Sequence, residues 1–378
     1  MHIKKTKWHS YCTGDLAKGC RLCVKGKKLV LFITGLCAQR CFYCPVSEHK
    51  YGKDVVYANE WQVSDIEDPK ELLEEARLTE AEGAGITGGD PLVNVDRCVK
   101  YIKILKQKYG KKFHIHLYTP LKLVNEERLQ KLYDAGLDEI RFHPDLDDSS
   151  LWTRIELAKK YDWSIGVEIP AVPGYEEKTK KLIDYIADKA EFLNLNELER
   201  SDTTAAHYKL DEMNMKTRDD ISYGVKGSEE TALELLEYAK TKGLTGHYCT
   251  AKLKDAVQMR TRIQKRAENV ALQTDAITDE GTLVRGVAYL PDLAPDFGYH
   301  EKLKIAKKEE IMPKLLELKE KLMKIGINAV VDEKKLRLLT SEKIIQKKAK
   351  EIKELGLKPA IVEEYPTADA TEVDIQFI

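Results

Sequence analysis

The chain has 378 residues, 43% hydrophobic and 33% charged, with a formal net charge of −1. That length supports a large core and two or three domains, and near-neutrality argues against binding nucleic acid by bulk charge alone. No apolar region follows the basic start as a signal peptide needs and no stretch reads as a membrane span, so the eight cysteines are expected to be metal ligands or buried thiols in the cytoplasm, not disulfides.

Residues 1–28 carry Cys12, Cys20 and Cys23 in the spacing C-x7-C-x2-C, among Lys4, Lys5, Lys7, Lys18, Arg21, Lys25, Lys27 and Lys28. Gly14, Gly19 and Gly26 predict loops here. Loop thiols oxidise readily unless ligated. Two readings stand: a second metal centre, iron–sulfur or zinc, that takes a fourth ligand from elsewhere, or incidental packed thiols.

Leu29–Ile33 is a short apolar run that predicts a strand ending at Thr34-Gly35. The loop after it presents Cys37, Cys41 and Cys44 as C-x3-C-x2-C, with Tyr43 before the last cysteine. Three thiolates can hold three irons of a [4Fe–4S] cube, which normally takes four cysteines. The remaining iron is left open, and an open position separates catalytic metal sites from structural ones. A closed zinc site wants four ligands, usually in C-x2-C pairs, and fits this spacing poorly. A helix is predicted over Asp65–Glu82, with Asp68 as N-cap and Pro69 at its first position. The strand Ala84–Thr87 then runs into Gly88-Gly89-Asp90-Pro91, where glycines let a ligand approach the backbone.

The cysteine spacing after a strand, followed one β-α unit later by the glycine turn, resembles the radical S-adenosylmethionine (radical SAM) superfamily. The resemblance covers about residues 25–200. It implies a cluster on Cys37, Cys41 and Cys44 whose open iron chelates SAM, and reductive cleavage of SAM to methionine and a 5′-deoxyadenosyl radical. Gly88-Gly89-Asp90-Pro91 resembles the Gly-Gly-Glu-Pro motif that binds the methionine amino group, with Asp90 one methylene shorter. The resemblance also implies a partial (β/α)6 TIM-like barrel and an external electron donor of ferredoxin or flavodoxin type. Tyr43, Gly88, Gly89, Asp90, Thr119 and Glu168 are its candidate cofactor-binding residues.

The alternation continues through strands predicted at Phe113–Tyr118, Asp138–Phe142, Trp163–Ile169 and Glu191–Asn196, with helices between them. Such alternation makes a parallel sheet with right-handed crossovers. By analogy with full barrels, whose chemistry sits at the C-terminal strand ends, Thr119, His143, Glu168, Asn194 and Asn196 point toward the SAM pocket. Glu168 is the candidate ribose contact. His143 reads either as a substrate ligand or acid/base, or as a capped strand-end histidine. Residues 197–228 break the rhythm and read either as a lid or as a surface excursion. Leu244–Cys249 is a strand-like return, and Cys249 is the preferred fourth ligand for the N-terminal cysteines, with His9 and His247 as alternatives. Lys252–Asn269 is a basic helix, either a solvated face or, with the N-terminus, a phosphate contact.

From Thr282 onward the predicted order is βαββαβ, a ferredoxin-like split unit, with Val373–Ile378 as a further edge strand. The fold class is therefore α/β: a cysteine-rich extension over 1–28, a partial barrel over 29–275 with the insertion 197–228, and an α+β domain over 282–378. The expected function is a radical SAM enzyme acting on RNA or another macromolecule. Small-molecule chemistry and glycyl-radical activation are alternatives, as is a non-enzymatic iron–sulfur or zinc module that binds RNA or protein.

Overall fold

A computed structural model describes residues 2–378. It divides into two compact units, one ending at Arg262 and the other running over Ile263–Ile378.

The first unit is built on a parallel sheet. Its strands are β2 (Lys28–Phe32), β3 (Gly83–Thr87), β4 (His114–Pro120), β5 (Glu139–His143), β6 (Ser164–Ala171), β7 (Phe192–Glu197) and β8 (Thr245–Cys249), hydrogen-bonded in chain order. The first six follow the predicted alternation, and β8 continues it in parallel register with β7. The short strand β1 (Tyr11–Cys12) pairs antiparallel with β8 and covers that edge. Helices α2 (Lys70–Leu78), α3 (Val95–Tyr109), α4 (Glu126–Ala135), α5 (Glu176–Ile186) and α6 (Ser228–Thr241) form the crossovers.

Side chains alternate across each strand. Ile115 and Leu117 of β4, Ile140 and Phe142 of β5, and Leu193 and Leu195 of β7 join the helices in one apolar core. Their neighbours, His116, Tyr118, Arg141, Glu168, Asn194 and His247, occupy the opposite face and are largely or wholly buried.

The glycines of the N-terminal segment do not make loops throughout: Lys18–Cys23 is a helix, α1. It packs against β3 and β4. A Cβ on Gly19 would lie 2.6 Å from Arg141 Nη2 and His116 Nδ1. Gly19 is there for close approach, not for a turn. Likewise one predicted helix, Ser149–Lys160, winds as 3-10 turns, capped by Asp148, which accepts from Ser150 N.

The second unit holds β9 (Leu283–Tyr289), α7 (Lys308–Lys324), β10 (Val330–Asp332), β11 (Arg337–Thr340), β12 (Lys358–Glu364) and β13 (Glu372–Phe377). Its sheet runs β10-β11-β9-β12-β13 and is antiparallel throughout. The first four of those strands have the ferredoxin-like order, and β13 is the added edge.

Candidate active site

Backbone hydrogen bonds bring the two sequence motifs together. Strands β2 and β3 are parallel neighbours, so the loops at their C-terminal ends leave side by side. Gly89 N donates to Thr34 O (2.8 Å) and Asp90 N to Leu36 O (2.9 Å). A Cβ on Gly88 would meet Thr34 O at 2.6 Å, and one on Gly89 would meet Cys37 Cβ at 2.9 Å. The two glycines are required by this approach of backbone to backbone. The cysteine loop is further held by Lys122 Nζ donating to Ala38 O (3.1 Å) and by Gln39 Nε2 donating to Asp145 Oδ2 (2.5 Å).

Cys37, Cys41 and Cys44 all open onto one cavity of about 530 Å³, together with Tyr43, Gly88, Gly89, Thr119, His143 and Glu168. Burial pushes the Cys37 thiol up to about 11 and the Cys41 thiol up to about 12. Thiols that resist ionisation in the bare protein are the kind that bound metal deprotonates. The donor set fits an iron–sulfur cluster: three cysteines on one loop, against a glycine turn that leaves the adjoining backbone uncovered.

Asp90 is fully buried and is not among the cavity-lining residues. Its Oδ1 accepts from Leu92 N (3.0 Å) and Thr119 Oγ1 (2.9 Å), which caps the 3-10 turn Pro91–Asn94. Its Oδ2 is buried without a hydrogen-bond partner. Burial, only partly offset by those two donors, raises the Asp90 carboxyl to about 6. The turn thus presents Gly88 and Gly89 to the cavity and Asp90 to the protein.

Glu168 lines the cavity and accepts from Arg141 Nη1 (2.7 Å), Asn194 Nδ2 (2.8 Å) and Asn196 Nδ2 (3.0 Å). Burial alone would raise its pKa. The Arg141 charge and the two amide donors outweigh burial and hold the carboxylate at about 2. His143 is pinned: its Nδ1 lies 2.7 Å from Glu168 O, and its Nε2 3.0 Å from the Tyr43 hydroxyl. A carbonyl only accepts, so Nδ1 carries the proton and Nε2 accepts from Tyr43. Burial lowers the His143 pKa and keeps the ring neutral. Both nitrogens are engaged, as in the strand-end reading, and neither is free for acid–base work.

Sequence reasoning missed several residues in and behind the cavity. Arg141 does not line it, but is 1% exposed and bridges Glu139 (2.5 Å) to the cavity residue Glu168. Lys254 lines the same cavity and pairs with Glu199. It opens a π-helical segment, Lys254–Met259, of the kind that often marks functional sites. The insertion also contributes: Leu198, Glu199, Arg200, Ser201 and His207 line the cavity. Leu198 and Leu210 pack with Tyr43 in a small apolar cluster, and Lys209 N donates to Phe42 O (2.8 Å). The signal available in sequence was the period-2 placement of Arg141 and His143 on one strand, but a charged residue inside a strand ordinarily reads as solvent-facing.

Of the N-terminal cysteines, Cys20 and Cys23 line a second cavity together with Cys249, and Cys12 does not. Among the described residues no helix is long and apolar enough to cross a membrane.

The radical SAM superfamily matches residues 31–186. A Methanocaldococcus jannaschii protein bearing the provisional name glycyl-radical enzyme activating enzyme is 40% identical over 368 residues, which are 95% of this chain and 92% of that one. Among solved structures, methylornithine synthase aligns with a TM-score of 0.38 and 13% identity, over 56% of this chain and 62% of that one. Escherichia coli coproporphyrinogen III oxidase aligns with a TM-score of 0.37 and 11% identity, over 91% of this chain and 94% of that one. With these matches in hand, the chain belongs to the radical SAM superfamily and is an enzyme of it, of the kind that uses a [4Fe–4S] cluster and SAM.

Proposed function

We propose that this enzyme abstracts a hydrogen atom from a macromolecule, and that the macromolecule is a protein whose glycine becomes the radical. The supporting observation is that Cys37, Cys41 and Cys44, Gly88, Gly89 and Glu168 wall one cavity. When bound, the cluster supplies the electron that divides SAM into methionine and the 5′-deoxyadenosyl radical. The chain's own residues do the rest. Cys37, Cys41 and Cys44 would hold the cluster, and the backbone at Gly88 and Gly89 would receive the methionine end of SAM. Glu168, ionised at any working pH, accepts hydroxyl protons from the ribose without donating one of its own. Tyr43 and Leu198 close the site against water. Electrons come from a ferredoxin- or flavodoxin-type donor in the cytoplasm.

The choice of a protein substrate follows the name of the methanocaldococcal relative, which matches nearly end to end. An RNA substrate draws less support. Lys254 and Arg262 of the basic helix are paired with Glu199 and Glu60, and so are less available to phosphates. The second metal centre suggested by the N-terminal cysteines is argued separately below.

The test is anaerobic reconstitution followed by SAM and dithionite. 5′-Deoxyadenosine should form, and should not form in Cys37→Ala, Cys41→Ala or Cys44→Ala. Adding a glycyl-radical enzyme in its inactive form should give the doublet of a glycyl radical by electron paramagnetic resonance. No 5′-deoxyadenosine from a fully iron-loaded enzyme would end the radical reading. 5′-Deoxyadenosine without a protein radical, but with deuterium transferred from labelled RNA or a labelled metabolite, would replace the substrate.

A further inference from the structure

The first unit holds a second cavity, of about 150 Å³, that the chemistry above does not use. Cys20 and Cys23 enter it from α1, where spacing of three residues puts them on one helix face. Cys249 enters from the end of β8, and His247, two residues earlier on the same strand face, joins it. Lys28, Tyr118, Glu168, Asn196 and Lys254 line both cavities, so these residues are the wall between them.

The side chains around this cavity are arranged for an anionic metal group. Lys28, Arg141 and Lys254 surround it against the single carboxylate of Glu168. The half-buried Lys28 ammonium lies against Cys23 and 3.5 Å from the Tyr118 hydroxyl, with no carboxylate partner among the described residues. A cation set back from solvent favours an anion beside it. Asn194 Nδ2 donates to Cys20 Sγ at 3.2 Å, which fixes the sulfur at the cavity. His247 is 4% exposed, yet neither of its ring nitrogens has a hydrogen-bond partner. Buried polar atoms are nearly always paired, so two orphans on one ring beside the cavity point to a group that occupies it.

We infer that Cys20, Cys23 and Cys249 hold an auxiliary iron–sulfur cluster of the [4Fe–4S] class, with His247 as its fourth ligand. Zinc is the competing occupant of a three-cysteine, one-histidine set. Among the described residues, no three His, Cys, Asp or Glu side chains close to the spacing of one ion. The same holds for Cys37, Cys41 and Cys44, the trio that belongs to a cubane. Cys12 is not part of this centre: it sits across from His247 in the β1–β8 pair and outside the cavity.

Iron, sulfide and zinc counts on the anaerobically reconstituted full chain test this, with Mössbauer spectra. The wild type should carry about eight irons per chain. Cys20→Ala/Cys23→Ala/Cys249→Ala and Cys37→Ala/Cys41→Ala/Cys44→Ala should each carry about four, and Cys12→Ala should keep all of them. The single variant Cys249→Ser, at a half-buried position, guards against misfolding of the triple variant, and its iron should also fall. A 14N coupling in the spectrum of the reduced auxiliary cluster should vanish in His247→Ala. About four irons in the wild type, or one zinc per chain, overturns the inference whatever the variants do. Loss of iron in Cys12→Ala overturns the ligand set, and absence of the 14N coupling in the wild type overturns the role of His247. This count is separate from SAM cleavage: an eight-iron enzyme that makes no 5′-deoxyadenosine would sink the proposed function and leave the auxiliary cluster standing.

Discussion

Gly89 shows how a single missing methyl holds the site together. Its backbone N–H is tied to Thr34 O, and a Cβ would press on Cys37 Cβ at 2.9 Å. Neither neighbour is the yielding end of a flexible chain, so Gly89→Ala should move the cysteine loop. The expected result is SAM cleavage at least about tenfold slower, a barrier change of about 1.4 kcal/mol, with circular dichroism unchanged. An unaffected rate would mean the loop absorbs the methyl. Glu168 answers to charge. Glu168→Gln leaves the buried Arg141 with Glu139 as its sole carboxylate partner among the described residues. Removing one partner of a buried pair costs about 3 kcal/mol, which a urea midpoint will read in the apo protein. A midpoint equal to the wild type would show that Arg141 is solvated by water in solution.

Elements carry the part of the fold that patterning reveals and the part that it hides. The parallel strands were legible because apolar residues such as Ile115 and Leu117 recur every second position and helices of ordinary length separate them. The cysteine loop and the glycine turn were legible because their chemistry demands those residue types. Helix α1 was not, since Gly19 argues for a loop until one sees His116 and Arg141 within a methyl's reach. Nor was strand β1, whose two residues carry no periodicity. The polar inner face was legible only in part: Glu168 was placed there, but Arg141, which bonds both Glu168 and Tyr118 across strands far apart in sequence, was not. If α1 is an internal element, Gly19→Val should destabilise the protein by about 2 kcal/mol through overpacking. It should also lower the iron count, because Cys20 follows directly. A Gly19→Val protein of native stability would place α1 on the surface.

At the scale of the whole molecule, both units bury charge instead of excluding it. In the second unit Arg337 is fully buried and bonds Glu364 (2.6 Å) and Asp332 (2.8 Å), while Arg285 bonds Glu364 (2.6 Å) and Asp275 (2.5 Å). In the first unit the consequence is a response to acid. Burial lowers the His114 pKa from 6.5 to about 4 and holds the His116 pKa well below 6.5, with the Arg141 charge adding to the shift on both. The unfolded chain takes up these protons below about pH 6.5, whereas the folded chain holds His114 neutral until near pH 4 and His116 neutral well below pH 6.5. Protons then favour the unfolded state, so stability falls as pH drops through that window, by about 1.4 kcal/mol per pH unit for each histidine. Glu168, held at about 2, pushes the same way but only below pH 4.5, where its unfolded form begins to protonate. Urea unfolding of the cluster-free protein at pH 7.5 and pH 5.5 will show the loss, and His116→Gln should flatten the slope between them. Equal stability at the two pH values would mean that both histidines are protonated in the folded chain, and that the face lining the cavities is open to water.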